Sequence, residues 1–386
     1  MRILYHHRTR AEDGQAVHIR ALIEAFLAEG HEVREEALVR RTGPTASPKP
    51  DSGGRGRWSV LGRLPRFARE LAEYAYAVPA RRRLLRAGEE FNAEMLYERY
   101  AFGNTAGVRA ARNLGVPLVL EVNSPMVLEL SKTRGLSFPG LASKTERWIF
   151  QEADRVCVVT AVLADMLKEM GVAPERLFVV PNGVHLEAFE NPDPVAARRA
   201  LGLADVPGPV LGFVGYYRPW HRLDLVVDAL AAPELDQAHL VLIGEGPVEE
   251  ELRQRSRERG VSERVHFAGA RDHAQIPALL PAFDVGLVPA INPYASPLKL
   301  HEYMAAGLPS VAPDQPNLKE VLTSGEQALL FTPGDGDGLC SALVELVGNA
   351  QLRRRMGRCA RETLVERDLT WRGNVRRVMS ALEGLA

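Results

Sequence analysis

The sequence predicts an α/β protein with two domains, each built on a helix-covered parallel sheet. Short apolar runs typical of strands alternate with helical patterns along most of the chain, and this alternation indicates parallel sheets covered by helices. The pattern occurs twice and is broken at Pro181–Pro194, where frequent Pro and Asn residues predict a linker. A chain of 386 residues also suits two domains of about 150–190 residues each.

Apolar runs in both halves are predicted to form strands, and helical patterns such as Val17–Glu29 and Val248–Arg259 separate many of them. The predicted strands are Arg2–Tyr5, Met95–Glu98, Pro117–Glu121, Arg155–Val159, Leu177–Val180, Val210–Val214, His239–Ile243, Arg264–Phe267, Val285–Val288, Ser310–Val311 and Ala328–Phe331.

Composition and charge exclude several functional classes. The formal net charge of −1 gives no indication of nucleic-acid binding. The three cysteines are far apart and form no C-x-x-C pair, which argues against a zinc site or a disulfide framework and suits a reducing cytoplasm. The N-terminus lacks the apolar core of a signal peptide, and no run of about 18 apolar residues exists. We therefore expect a cytoplasmic protein, either free or peripheral at the inner face of the membrane.

The region Arg40–Arg86 interrupts the alternation. Its first part, Arg40–Arg66, is rich in Gly, Pro, Ser and Arg, which predicts a long mobile loop. A helical stretch follows over about Phe67–Ala87 and carries Tyr74 and Tyr76. The whole region contains twelve basic and three acidic residues. Two interpretations stay open: a solvated loop and helix, or a basic, aromatic surface that attracts anionic lipid head groups or a phosphorylated acceptor.

The segment Asn292–Val311 (NPYASPLKLHEYMAAGLPSV) predicts a helix with well-defined ends. Ser296 is a suitable N-cap, and Pro297 suits the first helical position. The helix should run to about Ala306, after which Gly307 suits a left-handed C-terminal cap.

The start of this helix predicts an anion site. The backbone N–H groups of Leu298, Lys299 and Leu300 should lack partners inside the helix, and they lie at the positive end of its dipole. Lys299 adds a charge there, so the site fits a pyrophosphate. Glu302, in the second turn, suits ribose because a carboxylate accepts hydrogen bonds from two hydroxyls. The alternative is that Glu302 is an exposed helix residue.

Several segments resemble one known family. SPLKLHEYMAAGLPSV resembles the donor-binding helix of glycosyltransferase family four. This resemblance implies the GT-B fold, with two facing Rossmann-like domains and a cleft between them. DGQAVHIRALIEAFLAEGHEV resembles the family's first loop and helix, ADRVCVVTAVLADML the last strand and helix of its acceptor domain, and PNGV the entry to its linker. FVGYYRPWHRLD, LVLIGEGP, VHFAGARDH and AFDVGLVPA follow in the family's order.

The resemblance covers nearly the whole chain and implies three parts. These are an N-terminal acceptor-binding Rossmann-like domain over 1–185, a nucleotide-sugar donor-binding domain over 186–368, and a C-terminal helix over 369–386 that crosses back to the first domain. In the family, two Glu residues with seven residues between them hold the donor, the first at the hexose hydroxyls and the second at the ribose. Glu302 matches the second, whereas Tyr294 stands at the first position. A phenol cannot be a charged two-point acceptor, so sugar recognition must differ in detail.

The family also places an Arg and a Lys from the opening loop of the donor domain on the pyrophosphate. Here residues 215–222 read GYYRPWHR, without Lys, so Arg218 and either His221 or Arg222 are candidates; Arg suits bidentate phosphate contacts better. The groups implied to stabilise the departing diphosphate are Arg218, Arg222 and Lys299. The implied donor-binding residues are Gly215, His221, Gly244, Glu245, Arg271, Tyr294, Ser296, Pro297, Leu298, Leu300 and Glu302.

The acceptor side is expected at the carboxyl edge of the first sheet, where open α/β sheets bind ligands. A glycine at position 14 lets the backbone approach a phosphate or an acceptor closely. Asn123 stands where the family often has a His near the reacting sugar, and an amide cannot accept a hydroxyl proton. The acceptor-side candidates are Gly14, Gln15, His18, Glu121 and Asn123, with His6 and His7 as further polar groups.

The resemblance implies a retaining, metal-independent hexosyltransferase without a cofactor, using a UDP- or GDP-sugar. The leaving phosphate oxygen can take the acceptor proton, so the protein mainly stabilises charge and aligns the acceptor. A D-x-D sequence at Asp335–Asp337 lies in a Gly-rich turn and is interpreted as a turn. The expected acceptor is a glycan or glycolipid in cell-surface polysaccharide biosynthesis. Alternatives are glycosylation of a small metabolite, a related epimerase or phosphorylase, and a catalytically silent homologue that binds sugar nucleotides.

Overall fold

The computed structural model describes residues 1–9, 14–37 and 65–384. The chain divides into two compact units: Met1–Val180 with Val375–Ala386, and Pro181–Asn374. Each unit contains a six-stranded sheet whose strands are all parallel. The predicted α/β class, with a helix-covered parallel sheet in each half, is therefore confirmed. The predicted mobile loop lies, up to residue 64, outside the described residues.

The first unit has the strand order β2-β1-β3-β4-β5-β6. Its strands are β1 Arg2–His7, β2 Glu32–Ala37, β3 Met95–Arg99, β4 Leu118–Val122, β5 Arg155–Val158 and β6 Leu177–Val179. Its helices are α1 Gly14–Ala28, α2 Arg66–Ala75, α3 Ala77–Phe91, α4 Ala106–Leu114, α5 Met126–Thr133, α6 Pro139–Glu152 and α7 Ala161–Glu169. The strands β1 and β3 are almost wholly buried, and the stacked rings of Tyr5 and Tyr97 join them, with 5.0 Å between centroids.

The second unit has the strand order β12-β11-β10-β7-β8-β9. Its strands are β7 Val210–Val214, β8 His239–Ile243, β9 Val265–Gly269, β10 Val285–Leu287, β11 Ser310–Pro313 and β12 Ala328–Phe331. Its helices are α8 Pro194–Ala200, α9 Leu223–Ala229, α10 Glu249–Glu258, α11 Ile276–Leu279, α12 Leu298–Ala305, α13 Pro316–Lys319, α14 Gly336–Gly348 and α15 Ala350–Glu366. The last helix, α16 Trp371–Glu383, has its residues up to Asn374 in this unit and those from Val375 in the first.

The strand orders place a crevice at a defined point of each sheet. In open α/β sheets ligands bind outside the carboxyl ends of the strands, where the strand order reverses. The order reverses at β1 and β3 in the first unit and at β7 and β10 in the second. The side chains after these strands are therefore the first to be considered as functional groups.

Helix α12 is fixed to the second sheet by a buried tyrosine. The fully buried Tyr303 accepts a hydrogen bond on its hydroxyl from the N–H of Val214, at 3.1 Å. Its ring lies against β10, where a Cβ atom at Gly286 would approach a ring carbon to 2.4 Å. The absent side chain at Gly286 thus makes room for the tyrosine that sets the position of α12.

One end of α12 differs from the prediction. The C-terminal cap is as predicted, because Gly307 has a φ of +69° and the Leu308 N–H donates to the carbonyl of Tyr303 at 2.9 Å. At the N-terminus the helix begins at Leu298, one residue later than expected. The Ser296 hydroxyl does not cap it; instead it accepts a hydrogen bond from the N–H of Asn182, at 3.2 Å.

Among the described residues, no helix has both the length and the apolar character needed to cross a bilayer.

Candidate active site

The loops that follow β7 and β8 are joined through their backbones. The N–H of Gly215 donates to the carbonyl of Ile243 at 2.9 Å, and that of Tyr217 donates to Glu245 at 2.7 Å. Gly215 and Gly244 have φ values of +137° and +140°, and a Cβ at Gly244 would lie 2.0 Å from the Gly215 carbonyl oxygen. Only glycine fits this crossing, so the carboxyl edge of the sheet exposes backbone that a ligand can approach closely.

Lys299 directs its ammonium at this loop from the first turn of α12. The Nζ atom lies 3.7 Å from the centre of the Phe213 ring and 3.2 Å from the position that a Cβ of Gly215 would occupy. Among the described residues it forms no ion pair. Burial lowers the pKa of the ammonium to about 7, against the opposing influence of the Glu302 carboxylate. A poorly solvated cation of this kind gains most from an anionic ligand.

Two backbone N–H groups accompany Lys299, rather than the three predicted. The N–H of Leu300 donates to the Pro297 carbonyl at 3.1 Å, so it is not available to a ligand. Those of Leu298 and Lys299 remain at the positive end of the helix. The anion site predicted at this helix start is therefore smaller by one donor.

His221 is a neutral group beside Lys299. Its ring lies 5.3 Å from that of Phe213, and Nδ1 donates towards the Ala290 carbonyl at 3.4 Å. Burial, followed by the charge of Lys299, lowers the pKa of His221 to about 3. At neutral pH the ring therefore carries no positive charge, and because its one proton is on Nδ1, Nε2 can only accept. In this state His221 can offer a phosphate neither a charge nor a hydrogen bond.

The two candidate arginines of the loop have different environments. Arg222, with a φ of +51°, is paired with Asp224 through two N–O contacts of 3.0 Å. Arg218 is exposed and lies over the rings of Tyr216 and Trp220, at 4.5 and 5.3 Å from their centres. The geometry thus favours Arg218 over Arg222 as a free phosphate ligand, because Arg222 already has a carboxylate partner.

Glu302 is a buried carboxylate with one histidine partner. Only 6% of the residue is exposed, and Oε1 lies 2.6 Å from Nε2 of His273. His273 begins a short helical turn that follows β9, and its side chain is 42% exposed. The alternative interpretation of Glu302 as an exposed helix residue is wrong. Arg271, in the same loop, and Glu245, after β8, are exposed.

The segment before α12 is held by side-chain amides. Tyr294 is 7% exposed, so its side chain packs inside the unit. The Asn317 amide donates to the carbonyls of Asn292 and Ala295, at 3.2 and 2.7 Å. These contacts fix the backbone between β10 and α12. Because position 294 carries a buried phenol and no carboxylate, backbone groups of this segment are the polar groups that remain for a ligand there.

A polar cluster occupies the corresponding edge of the first unit. Glu121, 2% exposed, contacts four partners: Nε2 of His18 at 3.0 Å, the hydroxyl of Tyr97 at 2.9 Å, and the side chains of Arg99 and Asn123. Burial opposes ionisation, but His18 and Arg99 hold the pKa of this carboxyl well below its usual range. Glu121 is thus a fixed negative charge that orients an imidazole and an amide.

The remaining acceptor-side candidates lie at the end of β1 and at the start of α1, the helix that follows it in the chain. His6 and Glu98 are register partners on β1 and β3, and Nδ1 of His6 lies 2.6 Å from the carboxylate. His7 contacts Glu35 at 2.9 Å. Gly14 and Gln15 are the exposed first two residues of α1. The edge therefore offers hydrogen-bonding groups to a hydroxylic ligand.

Within the described part of the chain, no group of three or more His, Cys, Asp and Glu side chains is arranged to hold a metal ion. The D-x-D sequence begins at an N-cap, because the Asp335 carboxylate accepts from the N–H groups of Asp337 and Gly338 at 3.1 and 3.0 Å.

Two family models match this chain, one in each half. Residues 13–188 match the family described as Glycosyltransferase Family 4, and residues 208–349 match the one described as Glycosyl transferases group 1. These ranges contain the polar edge of the first sheet and the Lys299 region of the second. The chain belongs to the family 4 glycosyltransferases.

Two curated proteins, one named as a mannosyltransferase and one as a glucosyltransferase, are similar to this glycosyltransferase. It is 28% identical over 291 residues to the MMP alpha-(1->4)-mannosyltransferase of Mycolicibacterium hassiacum, covering 72% of this chain and 68% of that protein. It is 30% identical over 238 residues to the 2-deoxystreptamine glucosyltransferase of Streptomyces kanamyceticus, covering 59% and 61%. The chain thus matches between 61% and 68% of the length of these two relatives.

Among solved structures, the Anabaena protein HepE in complex with UDP superposes on this glycosyltransferase with a TM-score of 0.74 over 100% of both chains, at 19% identity. This similarity establishes the GT-B fold.

The sequence does not identify two residues of the candidate site in the second unit of this glycosyltransferase, His273 and Phe213. His273 directly follows the Arg271 loop, but nothing in its spacing from Glu302 indicates a contact across 29 positions. Phe213 reads as an ordinary apolar residue of β7, although its ring faces the Lys299 ammonium. Both depend on tertiary packing; the only sequence signal was the position of each at the carboxyl end of a strand.

Proposed function

We propose that this glycosyltransferase moves a hexose from a nucleoside diphosphate sugar to a hydroxyl acceptor, with retention of anomeric configuration and without a metal ion at the diphosphate. The observation that carries the proposal is the placement of Lys299, whose ammonium faces the Gly215 loop without an ion-pair partner among the described residues. A diphosphate would supply the missing negative charge. The UDP bound to HepE and the hexosyltransferase names of the relatives support this class of donor.

Charge on the departing diphosphate is stabilised by groups that are already in place. Lys299 and the N–H groups of Leu298 and Lys299 provide one side, and Arg218 provides a second charge. Preorganised donors of this kind lower a barrier without reorganisation during the reaction. The leaving phosphate oxygen takes the acceptor proton, so the polar groups around Glu121 serve to align the acceptor.

A nucleotide screen tests the donor. Thermal shift and calorimetry with UDP, GDP, ADP and dTDP, each with and without EDTA, should show that UDP or GDP stabilises the protein. A ligand at a hundred times its Kd adds about 2.7 kcal/mol to the unfolding free energy. EDTA should not change this result. Stabilisation that disappears with EDTA would contradict the metal-free donor site, and binding of none of the four would contradict the donor site itself.

For the acceptor we propose a cell-surface glycan or glycolipid. The relative named for 2-deoxystreptamine supports a second candidate, a small polyol or aminocyclitol. Incubation of the protein with the donor and either a membrane lipid extract or a set of small polyols separates the two, because the product partitions into organic solvent in one case only.

For the exposed surface of α2 and α3 we propose contact with an anionic membrane at the cytoplasmic side. Phe67 and Leu71, one turn apart on α2, are 52% and 47% exposed, and Val78 on α3 is 59% exposed. Exposed Arg82 lies on the same helix as Val78. Apolar anchors beside basic groups favour anionic lipid surfaces. The test is sedimentation at low salt with vesicles that contain phosphatidylglycerol. We expect the wild-type protein to sediment with the vesicles, and a Phe67→Ser, Leu71→Ser variant to do so to a smaller extent. Equal sedimentation of the two proteins, or no sedimentation of the wild type, would contradict membrane contact.

A further inference from the structure

The pair formed by His273 and Glu302 joins two separate loops of the second unit. Glu302 belongs to α12, which follows β10, whereas His273 belongs to the segment after β9, at the edge of the sheet. Nε2 and Oε1 are 2.6 Å apart. The loop that carries His273 is itself anchored, because the carbonyl of Gly269 accepts from the N–H of Gly244 at 2.9 Å.

The chemistry of the pair defines its protonation. A carboxylate can only accept, so the proton between the two atoms is carried by Nε2 of His273. A hydrogen bond to an ionised acceptor is short and strong, and here it ties a buried carboxylate to an exposed ring. The side-chain torsions of Glu302 are therefore held by a residue that a bound nucleotide can reach.

The second carboxylate oxygen is left for a ligand. Oε2 of Glu302 accepts no hydrogen bond from any protein group in the part of the chain that the structure describes. Glu302 as a whole is only 6% exposed, and each oxygen of a carboxylate can accept hydrogen bonds, so Oε2 is open to a donor from a ligand. A ribose hydroxyl is such a donor.

We propose that His273 positions Glu302 for ribose by holding Oε1, so that Oε2 is directed at one hydroxyl of the nucleotide's 2′,3′-diol. The inference rests on the proposed function, since it places the nucleotide at α12. His273 is a positioning residue here, and its expected effect is on the selectivity for ribonucleotides over deoxyribonucleotides. With Oε1 held, the carboxylate binds one of the two ribose hydroxyls more strongly than the other. Without His273 the carboxylate rotates and discriminates less.

The test compares ribonucleotides with their deoxy analogues. Calorimetry with UDP and 2′-deoxyUDP, and with GDP and 2′-deoxyGDP, gives two affinity ratios for each protein variant. His273→Ala should weaken binding of the preferred ribonucleotide about tenfold, as expected for one hydrogen bond to a charged group, and should bring the ribo-to-deoxy ratio close to unity. His273→Gln should restore part of both, because its amide N–H can donate to the same oxygen. Gln275→Ala, in the same exposed turn, is the matched control and should behave as wild type.

The outcomes separate this inference from the proposed function. If Glu302→Ala weakens nucleotide binding while His273→Ala leaves both affinity and ratio unchanged, the positioning role is wrong and the ribose contact stands. If His273→Ala strengthens binding, the ring occupies the ribose position and the inference is again overturned. If Glu302→Ala has no effect on nucleotide affinity, the proposed placement of the nucleotide at α12 fails.

Discussion

The ammonium of Lys299 lies 3.7 Å from the centre of the Phe213 ring, at the point where β7 passes into the Gly215 loop. The ring face offers a cation partial compensation for lost water, and burial still lowers the pKa of this ammonium to about 7. A diphosphate in contact would favour the charged form again. The contact thus holds the ammonium at a position where it can bind an anionic ligand.

Removal of this cation should weaken donor binding. Lys299→Met keeps most of the side-chain volume but loses the charge, and hydrogen bonds to charged groups contribute about 1.5–3 kcal/mol. We expect the affinity for UDP or GDP to fall about ten- to a hundredfold, measured by calorimetry. Lys168→Met, at an exposed lysine of the first unit paired with Asp165, is the control. An unchanged affinity in Lys299→Met would remove Lys299 from the diphosphate site.

Stability should depend on pH through the same group. Its ordinary pKa is 10.5 and its folded value about 7, so between these values the unfolded chain binds more protons and stability rises with pH. The slope is below about 1.4 kcal/mol per pH unit, because the partly exposed side chain is also screened by solvent. Urea unfolding of wild type and Lys299→Met from pH 7 to 10 should show the slope difference, since other titrating groups are common to both. If the unfolding free energies of the two proteins changed with pH in the same way, the ammonium would be well solvated and its pKa would not be lowered.

Glu121 should be important for the stability of the first unit. Glu121→Gln leaves Arg99 and His18 without their buried counter-charge, and breaking a buried pair costs about 3–5 kcal/mol. Because the folded pKa is lowered from 4.5, the stabilisation is present above about pH 4.5 and decreases as the pH falls below it. Urea unfolding at pH 7 and pH 4 checks both statements. Asp165→Asn, at an exposed pair of the same unit, serves as the control and should change stability little.

Asp335 should matter to stability and not to activity. It caps α14 through two backbone N–H groups, and loss of such a cap costs about 1 kcal/mol. Asp335→Ala should lower the unfolding free energy by that amount, and Asp335→Ser should restore most of it. A loss of turnover in Asp335→Ala that added Mn²⁺ or Mg²⁺ modulates would instead assign the D-x-D sequence a catalytic role.

Strong local patterns explain what could be predicted from the sequence. Every predicted strand appears, because each is an apolar run, and most of these runs are buried in the sheets. The strand Glu32–Ala37 was missed because its sequence, EVREEA, is polar and lies at the edge of the sheet, where no apolar pattern is required. The stretch predicted as one helix over Phe67–Ala87 is divided at Tyr76 into α2 and α3.

Side-chain contacts that the sequence pattern does not show, some of them between distant segments, explain what could not be predicted at the site. Ser296 has the composition of an N-cap, but its hydroxyl is taken by the N–H of Asn182, 114 positions away. Arg222 has the right chemistry for phosphate, yet Asp224 engages it. The place of Glu302, one turn after the helix start, marks it as a candidate in the sequence, whereas its partner His273 is found only in three dimensions.

Turnover of nucleotide sugars by wild type and Lys299→Met tests the central claim most directly. The release of nucleoside diphosphate from UDP-glucose, UDP-galactose, UDP-N-acetylglucosamine and GDP-mannose would be measured with EDTA present and with a membrane lipid extract or small polyols as acceptors. The account predicts that wild type turns over at least one donor and that Lys299→Met lowers kcat/KM about ten- to a hundredfold, the equivalent of one charged contact. Absence of turnover with every donor, or equal rates for the two proteins, would contradict it.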